Sequence, residues 1–71
     1  MKNVESSLIM SIGYNPLNER LSVILHTQPN TVWNYDGVPR KVLNEFTESD
    51  SKGRYFNKNI KNNFPMTKGS V

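Results

Sequence analysis

The sequence predicts a small α+β domain: a three-stranded antiparallel β-meander followed by two helices. Three observations predict it. Apolar residues alternate with period two in short runs before Asp36, helical spacing takes over after Gly37, and Asn- and Pro-containing turns separate the runs. A chain of 71 residues holds one small domain. Its 35% hydrophobic content, with three Phe, three Tyr and one Trp, is enough for a thin core.

Residues 1–7 are polar and read as a flexible N-terminal arm, ahead of a folded unit over 8–66. Leu8, Met10 and Ile12 alternate with Ile9, Ser11 and Gly13, which suits a first strand. Asn15-Pro16-Leu17-Asn18 reads as a turn. From Arg20 to His26, Leu21, Val23 and Leu25 share one face, while Ser22, Ile24 and His26 share the other. Thr27-Gln28-Pro29-Asn30 is expected to break the chain before a third strand over Thr31-Val32-Trp33-Asn34-Tyr35. Val38, Val42, Leu43 and Phe46 then recur at helical spacing, with Pro39 in the first turn, predicting a helix over 38–48. Phe56, Ile60 and Phe64 repeat every four residues with Arg54, Lys58 and Lys61 opposite, predicting a second helix that Pro65 stops. Residues 67–71 read as a flexible tail. The expected core is Leu21, Val23, Leu25, Val42, Phe46, Phe56 and Ile60.

Composition argues against catalysis. No cysteine is present, and His26 is the single histidine, so no disulfide, thiolate or two-histidine metal site is expected and no cofactor is implied. The six acids are scattered, and no spacing brings two carboxylates together over a cleft. The run Leu8-Ile9-Met10 is far shorter than the roughly 20 apolar residues of a membrane span. The expectation is a soluble, monomeric, cytoplasmic protein.

Charge is unevenly placed. Four cations meet six acids up to Asp50, a net of −2, whereas Lys52, Arg54, Lys58, Lys61 and Lys68 follow with no acid. A one-sided cluster of this kind favours an anionic partner, either a nucleic acid or an acidic protein surface.

The candidate partner-binding residues follow from this. Arg54, Lys58 and Lys61 form a basic helical face, and Tyr55 beside them could stack on a base or fill a shallow protein pocket. Lys52 and Gly53 precede the helix, where free N–H groups can hold an anion. Asn57 lies between the two faces, and Glu5, Ser6 and Ser7 offer an arm for partner recognition. Each has a structural alternative: a solvated basic face, a ring covering core, a turn glycine, a frayed terminus. Trp33 and Tyr35 share a strand face and are expected in the core rather than as base-stacking rings.

Taken in order, Ser6-Ser7-Leu8, Ile12-Gly13-Tyr14-Asn15, Leu21-Ser22-Val23, Trp33-Asn34-Tyr35, Gly37-Val38-Pro39, Ser51-Lys52-Gly53-Arg54-Tyr55-Phe56-Asn57, Ile60 and Phe64-Pro65 resemble the KTSC domain pattern. Departures are Asn15 where that family usually has Asp, Pro29-Asn30 for a turn Gly, Trp33 for Tyr, and Leu43 and Phe64 where Tyr is common. The family occurs at the C-terminus of some lysyl-tRNA synthetases and as free-standing proteins of bacteria and phages. The resemblance implies binding without catalysis. The free-standing form is similar to small phage regulators that bind host RNA polymerase in the bacterial cytoplasm and inhibit or redirect transcription, including by antitermination. The synthetase association implies the alternative, an RNA- or single-strand-binding module working through the basic helix.

Overall fold

In the computed structural model, which describes residues 2–70, the chain forms one antiparallel sheet of sequential strands. The strands are β1 (Lys2–Asn3), β2 (Ile9–Asn15), β3 (Arg20–Leu25), β4 (Gln28–Tyr35) and β5 (Met66–Ser70), hydrogen-bonded in the order β1-β2-β3-β4-β5. Between β4 and β5 lie helix α1 (Arg40–Glu48), a short helix α2 (Lys52–Tyr55) and a π-helical turn over Phe56–Ile60. The α+β class with two helices holds, but the sheet has four full strands and a two-residue edge strand instead of three.

The two extra strands correct the expected chain ends. Met66–Ser70 is paired with β4 from Tyr35↔Met66 to Thr31↔Ser70, so 67–70 is sheet and not tail. Alternation in Met-Thr-Lys-Gly-Ser is too weak to announce a strand; backbone pairing to β4 makes it one. At the other end, Lys2↔Ile12 and Asn3↔Ser11 pair β1 with β2.

β2 departs from its expected alternation for a physical reason. Ile9 opposes Leu25 and Ser11 opposes Ile24, so β2 carries one extra residue there. This bulge puts Ile9 and Ile12, three apart, into the same core, which period two forbids. The β2–β3 turn is as expected: Asn15 Oδ1 accepts from Leu17 N–H at 3.0 Å, and Asn18 Oδ1 accepts from Arg20 N–H at 3.2 Å. Pro29, expected in a turn, lies inside β4. Its missing N–H costs no ladder bond to β5, whose pairing with β4 begins only at Thr31.

Helix α1 starts at Arg40, two residues later than expected, because Pro39 is its N-cap in extended conformation and its carbonyl accepts from Val42 and Leu43 N–H. The second helix is shorter than predicted. Lys61 N–H donates to the Phe56 carbonyl at 2.8 Å, a five-residue step, and Asn62 turns left-handed at φ 72°. Asn63 Nδ2 donates to the Asn59 carbonyl at 2.8 Å, closing the helix end before Phe64.

Phe46, Ile9, Leu21, Ile60, Val23 and Val38 are fully buried. Tyr35 and Phe56 meet edge to face at 5.6 Å, and Phe46 lies 6.3 Å from Phe56, so the rings tie sheet, α1 and π turn together. Leu25 and Val42, expected inside, are half-buried, and Ile9, Ile12, Tyr35 and Val38 take the central places. Among the described residues no helix is long and apolar enough to cross a membrane.

Candidate functional site

The segment leading into β2 is tied down on both sides. Ser6 Oγ accepts from Leu8 N–H at 3.2 Å and from Ile9 N–H at 3.1 Å, a serine turn that bends the chain into the strand. His26 Nε2 lies 2.9 Å from the Ser6 carbonyl oxygen and donates to it, and His26 N–H donates to the Leu8 carbonyl at 3.0 Å. Within and just after the stretch read as an N-terminal arm, residues 4–8 therefore run as a hydrogen-bonded wall. His26, the single histidine, is one of its anchors.

Opposite stands α2. It approaches because Gly53 has no side chain: a Cβ there would lie 3.2 Å from Leu8 Cβ. Between the two walls runs an open groove of about 750 Å³. Glu5, Ser6 and Ser7 line one side; Lys52, Arg54, Asn57 and Lys58 line the other. Two distant stretches singled out in the sequence thus share one surface.

The groove is charged but not uniformly. Arg54 and Lys58 are exposed and have no ion pair or side-chain hydrogen bond among the described residues. Lys52 folds back, its Nζ donating to the Ser49 carbonyl at 3.3 Å. Glu5 and Asp50 also line the groove, the latter not foreseen although it sits two residues before Lys52. With α2 only four residues long before the π turn, its aligned dipole adds little to this field.

Two nominated residues lie elsewhere. Tyr55 turns to α1, stacking on Phe46 at 5.8 Å and donating from Oη to Glu45 Oε1 at 2.8 Å. Burial first, then the Glu45 hydrogen bond and charge, hold its phenol above the ordinary pKa. Lys61 lies on a second cavity beside Trp33 and Phe64. Trp33 and Tyr35 face the core side of the sheet; Lys68 Nζ sits 5.3 Å over the Trp33 ring, and Tyr35 is buried. Among the described residues no group of three or more His, Cys, Asp or Glu could hold a metal ion.

The groove walls fall on the Ser-Ser-Leu and Ser-Lys-Gly-Arg-Tyr-Phe-Asn stretches, and the sequence pattern of the KTSC domain matches residues 5–64. The chain belongs to the KTSC domain family. A relative in Stutzerimonas stutzeri (strain A1501), described as an uncharacterized protein, is 36% identical over 63 residues, covering 86% of each chain. The crystal structure of a KTSC domain protein from Yersinia pestis superposes with a TM-score of 0.90 at 38% identity, covering 96% of this chain and 93% of that one. This KTSC chain is thus similar to both over nearly its whole length.

Proposed function

We propose that this KTSC protein is a non-enzymatic binding module that takes an extended acidic segment of a partner protein into the groove between residues 5–8 and 52–58. The carrying observation is the pair Arg54 and Lys58, exposed and without an ion pair among the described residues, facing a hydrogen-bonded wall built by Ser6. Carboxylates of a partner would meet these cations, and Ser7 and Asn57 supply further polar contacts. A protein partner is favoured over RNA because a peptide can space its carboxylates toward Arg54 and Lys58 and away from Glu5 and Asp50, whereas an evenly charged phosphate backbone cannot. Tyr55, Trp33 and Tyr35 are also engaged in packing and offer no base-stacking platform.

The partner brought forward by the family resemblance is bacterial RNA polymerase, bound in the cytoplasm with transcription inhibited or redirected, as a phage-encoded regulator would do. The test immobilises the whole chain, passes nuclease-treated bacterial lysate over it, and compares wild type with the Arg54→Glu/Lys58→Glu double variant. Polymerase subunits retained by wild type at moderate salt and lost by the variant support the reading. Capture that requires intact RNA and weakens with a log–log salt slope of roughly −0.7 per phosphate contact replaces it with nucleic-acid binding.

A further inference from the structure

A second cavity, of about 390 Å³, opens between the sheet and the π turn. Its walls are apolar: Leu25, Trp33, Tyr35, Phe56, Phe64 and Met66. Tyr35 and Phe56 are buried core residues, so the floor of the cavity is the core itself. Met66, which also lines it, leaves 47% of its surface in water.

Thr27, Gln28, Asn57, Lys61 and Asn62 also line the cavity, and its charge is of one sign. Lys61 is its single charged side chain, with no acid among the lining residues and no ion pair or hydrogen bond of its own among the described residues. Asn57 and Asn62 flank it, exposed and without side-chain hydrogen bonds among the described residues. In the wall, Trp33 Nε1–H is buried and has no acceptor among the described residues. An apolar hollow with donors among its lining residues and no competing carboxylate fits a small-molecule site.

We propose that this cavity binds a small apolar carboxylate, its hydrocarbon body against Trp33, Phe56 and Phe64 and its carboxylate at Lys61 and the flanking asparagine amides. An alcohol of equal length would fill the same walls but leave the cation unpaired. An amine would place like charge against Lys61. Its cation is distinct from Arg54 and Lys58, although Leu8 and Asn57 line both the cavity and the groove, so substitution at Lys61 tests this site apart from the groove.

Trp33 is the only tryptophan and lies in the wall, which makes its emission a direct reporter. The experiment titrates octanoate, 1-octanol and octylamine into the whole chain, following Trp33 fluorescence and the thermal midpoint. Octanoate is expected to give a saturable emission change and a raised midpoint, with octanol weaker and octylamine weakest. Lys61→Gln, at an exposed position, is expected to weaken octanoate about two- to five-fold, the scale of an exposed ion pair, and to leave octanol unchanged. Lys41→Gln, exposed on α1 and lining neither cavity nor groove, is the control and should leave octanoate unaffected. No saturable response to octanoate, or equal octanoate affinity in wild type and Lys61→Gln, overturns the proposal.

Discussion

Gly53 and Leu8 pack so closely that a Cβ added at Gly53 would lie 3.2 Å from Leu8 Cβ and 3.4 Å from Leu8 Cδ2. The first contact is with an atom fixed to the backbone, which no rotamer change can move. In Gly53→Ala, helix propensity gains about 1 kcal/mol while the methyl pushes the 4–8 wall outward. Stability is therefore expected within about 1 kcal/mol of wild type, with partner binding in the groove reduced. Thermal unfolding and binding measured side by side check this; binding at wild-type strength would show that the Leu8 contact does not shape the groove.

Phe46 is fully buried, and its ring lies between Tyr55 at 5.8 Å and Phe56 at 6.3 Å. Phe46→Ala should cost about 3–5 kcal/mol, a large share of what a domain of this size possesses. Circular dichroism should show a greatly lowered or absent cooperative melt. Phe46→Leu, which keeps most of the volume, should retain a cooperative transition.

Deleting residues 66–71 should do more than trim an end. It strips the β5 ladder from Thr31 to Tyr35 and removes Lys68 from the Trp33 ring. The uncovered β4 edge is expected to aggregate, seen as loss of the monomer peak in size-exclusion chromatography. A monomeric truncation melting like the full chain would contradict a structural role for β5.

Alkaline pH should weaken the fold through two phenols. Burial raises the Tyr35 pKa, and burial with the Glu45 hydrogen bond and charge raises that of Tyr55. A folded pKa above the unfolded one means the native state holds these protons more tightly. Their stabilisation is complete below about pH 10 and is lost as pH rises through the folded values. Urea midpoints measured across this range should fall above about pH 10. Glu45→Gln should shrink the fall, because Tyr55 then titrates nearer its ordinary value.

What the sequence made legible follows side-chain periodicity. Leu21 and Val23 on β3 and Phe46 on α1 stand where alternation and helical spacing put them. What it concealed depends on backbone events that periodicity does not encode. The β2 bulge moves Ile9 and Ile12 onto one face, and the five-residue step from Phe56 to Lys61 ends the second helix early. β5, with its Thr, Lys, Gly and Ser, becomes a strand only because β4 offers it a partner. The two walls of the groove were each visible as residue clusters. Their meeting was not, since it rests on the bare Cα of Gly53 against Leu8. Helical spacing also cannot say that Tyr55, at the boundary of its helix, turns to α1 and covers Phe46.

Strands β2, β3 and β4 follow one another through short turns, whereas β5 reaches β4 only after both helices have intervened. In kinetic terms the early hairpins are local and the β4–β5 ladder is the long-range closure, the contact that loop entropy delays most. During synthesis the outer edge of β4 stands open until β5 has emerged and docked. The pace of chain release over the helical half thus sets how long that edge is available to a second nascent chain.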